Sequence, residues 1–70
     1  MNKEELKKLI MQKVGQFLKA VWGIYVDCGK PEVEAFVDFQ DAVYELEDEG
    51  KLVSGKIRNA AANTGYRRAK

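Results

Sequence analysis

The stretch that most constrains this chain runs from Val21 to Phe39, around the turn-forming residues Cys28-Gly29-Lys30-Pro31. If the chain reverses there, Asp27 falls opposite Glu32, Val26 opposite Val33, Tyr25 opposite Glu34, Ile24 opposite Ala35, Gly23 opposite Phe36 and Trp22 opposite Val37. Successive strand residues point to opposite faces. One face then collects Trp22, Ile24, Val26, Val33, Ala35, Val37 and Phe39, all apolar. The other collects Gly23, Tyr25, Asp27, Glu32, Glu34, Phe36 and Asp38. Pairing Phe36 with Gly23 would let an aromatic ring cover a strand glycine. The pattern predicts a β-hairpin. A rival reading starts a helix at Pro31, a favoured first helical position, and runs it to Glu49.

An apolar hairpin face needs a cover, and the residues before it supply one. Asn2 and Glu5 have capping-box spacing. Behind them Leu6, Leu9, Ile10, Val14, Phe17, Leu18 and Val21 recur at helical spacing, which predicts a helix from about Lys3 to Ala20. A second helix is expected from about Gln40 to Glu49, with Ala42, Val43 and Leu46 inward and Gly50 as its stop. Lys51–Ser54 reads as a short extended segment. Residues 55–64 read either as an Ala-rich helix capped by Ser54 or as a strand through Val53, Gly55 and Ile57. Residues 66–70 read as a flexible basic tail on a single domain spanning 1–70.

The expected fold class is therefore α+β. An N-terminal amphipathic helix packs on a β-hairpin, followed by a short acidic helix and a basic C-terminal helix or strand. The alternative is mostly helical or winged-helix-like.

Size limits what this fold can do alone. A 70-residue chain buries roughly 60% of its unfolded surface, and one small core supplies about 3–5 kcal/mol. One cysteine excludes an internal disulfide. With no histidine besides, an ordinary zinc site is excluded too. Association with a partner or with itself is the remaining supplement, and no cofactor is expected. Nothing marks export or membrane insertion, since no apolar run approaches the ~20 residues of a spanning helix. A lone thiol fits a reducing, cytoplasmic compartment.

Catalysis has little to work with. Without histidine there is no Cys–His or Ser–His pairing. Ser54-Gly55-Lys56 lacks the upstream glycine of a phosphate loop. Asp41, Glu45 and Glu49 stand one helical turn apart, a spacing common on solvated helices. Lys30 near Cys28 could lower the thiol pKa, but Cys28 reads as an ordinary small turn residue. The chain is expected not to be an enzyme.

The net charge of +1 hides three blocks. Residues 1–30 carry six lysines and three acids, 31–50 carry eight acids and no base, and 51–70 carry six bases and no acid. Such blocks are read as separate surfaces. Two partial resemblances cross them. Glu34-Ala35-Phe36-Val37-Asp38-Phe39, followed by an acid-rich helix and Gly50, resembles the third strand and second helix of RNA-recognition motifs. That resemblance implies base stacking on Tyr25 and Phe36, which acids at 27, 32, 34 and 38 would oppose by repelling phosphate. Val43-Tyr44-Glu45-Leu46-Glu47-Asp48-Glu49-Gly50-Lys51-Leu52-Val53 resembles the recognition-helix end and first wing strand of winged-helix DNA-binding domains. Its acids would likewise be repelled from a DNA groove.

Three functions follow. The first is a protein-directed binder or inhibitor of the kind found in viruses and mobile elements. It would use Tyr25, Asp27, Glu32, Glu34, Phe36 and Asp38, aromatics ringed by polar groups. The second is a nucleic-acid-associated regulator using Lys7, Lys8, Lys56, Arg58, Arg67, Arg68 and Lys70. The third is a self-associating structural subunit, acidic face against basic face.

Overall fold

The computed structural model describes residues 1–58 and 64–69. Its elements are α1 (Lys3–Lys13), α2 (Val21–Asp27), α3 (Phe36–Asp48), β1 (Leu52–Lys56) and β2 (Thr64–Arg68). The α+β class stands, with an N-terminal helix beside an antiparallel hairpin, but that hairpin is β1–β2 and not residues 22–37. The reason lies at Gly29. It has φ 80°, its N–H donates to Val26 O, and the Lys30 N–H donates to Tyr25 O. These two bonds make a Schellman stop, with glycine in the left-handed position beyond the helix. Gly29 therefore ends α2 and does not turn a hairpin. Val21, Ile24, Tyr25 and Cys28 face inward at helical spacing, and the period-2 alternation of the same segment is incidental. Pro31 follows the stop, where it interrupts nothing.

Gly50 ends α3 in the same way, with φ 79° and Lys51 N–H donating to Leu46 O. This helix begins one turn earlier than its sequence suggests, at Phe36, because Phe39, Ala42, Val43 and Leu46 all point into the core. The capping box at Asn2 forms as expected, with Glu5 N–H donating to Asn2 Oδ1 at 2.8 Å and Asn2 N–H to Glu5 Oε1 at 3.3 Å. However, α1 stops at Lys13 instead of reaching Ala20. Strand β2 claims the segment beyond. Arg68 N–H donates to Gly15 O, and the Arg68 guanidinium donates to Val14 O at 3.1 Å and to Met11 O. A cation thus satisfies carbonyls at the end of α1, where the helix dipole is negative.

Lys19 then makes an isolated antiparallel bridge with Tyr66, so β2 has neighbours on both sides there. The elements therefore follow in the order helix, bridge, helix, helix and two-stranded ribbon. The ribbon decides one alternative and departs from one expectation. Gly55 and Lys56 are strand, the second of the two readings for residues 55–64, while residues 59–63 of the Ala-rich segment lie outside the described residues. Tyr66–Arg68 is strand and not a tail, because Tyr66 is a buried core residue. Gly55 faces Gly65 across the ribbon. A Cβ on Gly65 would press into the Ile57 side chain and the Leu18 Cβ, whereas one on Gly55 would meet only the tip of the Leu18 side chain.

The core gathers Leu6, Ile10 and Val14, Ile24 and Cys28, the inward residues of α3, and Leu52 with Tyr66. Among the described residues, no helix is long and apolar enough to cross a membrane.

Candidate functional site

The six residues expected on one acidic, aromatic hairpin face are divided among three places. Tyr25 and Phe36 join Trp22 and Phe39 in an aromatic cluster between α2 and α3. Ring centroids are 5.4 Å apart for Tyr25–Phe36, 5.0 Å for Tyr25–Phe39 and 5.5 Å for Trp22–Phe36. Tyr25 Oη donates to Pro31 O at 3.1 Å, which ties the loop after α2 back to that helix. Both residues are half-buried, so they contribute more to packing than an outer face would require. Glu32, Glu34 and Asp38 line an open cleft of about 450 Å³ beside Lys3 and Leu6. Asp27 lies apart from them, in an ion pair with Lys19.

The basic set is divided as well. Lys7 is buried (9% exposed), and its Nζ stands 2.6 Å from Glu49 and 2.9 Å from Glu45. Hydrogen bonds to Glu49 and then Glu45 hold its ammonium well above the ordinary lysine range. Lys3 reaches Glu45 at 2.5 Å. The two carboxylates are held below their usual range, Glu45 by Lys3 and Lys7, Glu49 mainly by Lys7. Lys7 therefore works as a bolt between α1 and α3. Arg68 caps α1, as described above. Arg67 is half-buried and donates to Arg68 O. Lys8, Lys56 and Arg58 are exposed, the latter two on and beside β1. Lys70 lies outside the described residues.

Cys28 is buried, and burial pushes its thiol pKa up, assisted by Asp27. This is the opposite of an activated thiol.

What the sequence reading did not single out is a groove between α2, α3 and β2. It has a volume of about 380 Å³ and is lined by Trp22, Phe36, Gln40, Tyr44, Thr64 and Tyr66 together with Ala20 and Val21. Trp22 is 56% exposed and Tyr44 42% exposed. Tyr44 and Tyr66 approach to 6.2 Å between ring centroids. The Tyr66 phenol is pushed up by burial, then by the nearby Glu47 carboxylate and Tyr44. One signal could have revealed the wall: Phe36, Gln40 and Tyr44 recur every four residues, along one side of a helix. Tyr66 gave none, since it sits among arginines that read as a tail. Comparison with protein-family models, curated proteins and solved structures finds no match for this chain.

Proposed function

We propose that this chain is a small, non-enzymatic binding protein directed at another protein through the α2–α3–β2 groove. One observation carries the reading. Two large aromatics, Trp22 and Tyr44, stand about half exposed over the same concave surface. Half-exposed aromatics set in a concavity are the usual anchors of protein interfaces, where a few such residues supply most of the binding energy. The acids at the other end of the chain's charge pattern support the same reading. Among the described residues, no ion pair reaches Asp38, Asp41, Glu47 or Asp48 of α3, so this helix repels phosphate and attracts a basic protein surface.

A second reading rests on Lys56 and Arg58, exposed at the ribbon where a wing would touch a phosphate backbone. The acidic α3 opposes it, since that helix would have to enter the DNA groove.

One experiment separates the two. Affinity capture from lysate of the source cells, with and without nuclease, is compared for the wild type and Tyr44→Ser. The expected result is a protein retained after nuclease treatment and lost with Tyr44→Ser. Retention that disappears with nuclease, or that ignores the substitution, overturns the groove reading.

A further inference from the structure

Resting on the docking role just proposed, we infer that the groove takes an arginine side chain of the partner protein as its anchor. Its walls are four aromatic rings, Trp22, Phe36, Tyr44 and Tyr66, and among the described residues none that lines it is charged. An apolar anchor would also fit such walls, but three features favour a planar cation. First, the Trp22 indole already acts as a cation acceptor. Lys30 Nζ, outside the groove, stands 5.9 Å from its ring centroid, within the range of a cation–π contact. Second, Gln40 lines the groove with an amide whose oxygen can accept from a guanidinium. Third, α3, the helix that supplies one wall, carries exposed Asp41 and Asp48 without an ion pair among the described residues, which favours a cationic partner.

Arginine meets all three conditions better than lysine. Its guanidinium is planar, stacks on aromatic faces and loses less hydration on burial. Aromatic walls hold the plane while the amide of Gln40 accepts from its edge, and Glu47 on the same helix adds a longer-range attraction. The neighbouring residues of the partner would then lie along α3, where further basic groups find Asp41 and Asp48.

Trp22 is the sole tryptophan of the chain, so its emission reports on the groove directly. The test titrates the full chain with the blocked tripeptide acetyl-Leu-Arg-Leu-amide and with its citrulline and lysine counterparts, at low salt. Citrulline keeps the shape of arginine and removes the charge. A saturable change in Trp22 emission is expected with the arginine peptide, about tenfold tighter than with citrulline. It should be weaker by about threefold in Glu47→Gln and lost in Tyr44→Ser, with circular dichroism confirming that both variants fold.

Equal binding of the arginine and citrulline peptides overturns the inference, as does no saturable change with either. Emission that shifts with protein concentration alone also overturns it, because the occupant is then a second copy of this chain. If the arginine peptide fails while lysate capture still depends on Tyr44, the groove remains a docking site and only its arginine preference falls. Failure of both removes the docking role itself.

Discussion

Helix α3 has two acidic faces, and they behave oppositely. Toward α1, Glu45 and Glu49 are one turn apart and meet Lys3 and Lys7, also one turn apart, so every charge has a partner. Toward α2 and β2, Phe36, Gln40 and Tyr44 form an open wall, Glu47 on the same helix acts on the Tyr66 phenol across from it, and among the described residues Glu47 has no paired cation. The two faces share one helix and one residue chemistry. What differs is whether the chain brings lysines at matching spacing. Apart from Glu32, Glu34 and Asp38 in their cleft, the acidic block at residues 31–50 is thus two surfaces. One is consumed in holding α1 to α3, and the other is left for a partner.

The comparison can be broken most completely at the residue beneath both faces. Phe39 is fully buried and touches the aromatic cluster on the open side, with its ring 5.0 Å from Tyr25 and 6.2 Å from Phe36. Phe39→Ala should cost about 3–5 kcal/mol, as much as a core of this size supplies. The expected result is loss of the cooperative thermal transition by circular dichroism. A variant that still melts cooperatively would mean that the two faces do not share a floor.

A smaller effect separates the closed face from the open one. Because Glu45 and Glu49 are held below their usual carboxylate range, the unfolded chain takes up protons first as pH falls. Their contribution is complete above pH 4.5, the ordinary value for these groups. It declines as pH drops below that point and through the lowered folded values. Lys7→Met removes the main cause at Glu49 and one of two at Glu45. Its melting temperature should start lower at neutral pH and fall less steeply below pH 4.5 than that of the wild type. Parallel curves would show that Lys7 does not fasten the two helices.

Two glycines show how far the sequence could be read. Gly50 and Gly29 do the same job, each at positive φ beyond a helix end with a lysine next. Gly50 was legible because the helix before it repeats its apolar residues at 3, 4 and 7. Gly29 was not, because residues 21–27 form a helix of only seven residues. So short a segment satisfies period 2 and period 3.6 at once. The proline two residues on then imitates a hairpin turn. Misreading that one stop placed Trp22 on an inner face and Tyr25 on an outer one, and so hid the groove. The early end of α1 was illegible for another reason. It depends on Arg68 and Tyr66, more than fifty and more than forty residues away in the chain respectively. Leu6, Ile10, Ala42, Val43 and Leu46 were all legible as core, since each lies in a helix long enough to fix its period.

The finest test asks whether the acids of α3 that lack an ion pair are truly unpartnered within the fold. Asp38 lies in the first turn of α3 and Asp48 is its last residue, so the helix dipole favours the first carboxylate and disfavours the second. If nothing else in the chain holds them, neutralising each should move stability in opposite directions by about 0.3–1 kcal/mol. Asp38→Asn should lower the melting temperature and Asp48→Asn should raise it, each by a few degrees for a domain of this size. The double variant should return close to the wild type. If Asp48→Asn instead destabilises the chain, that carboxylate has a partner inside the fold and is not free to attract a basic protein.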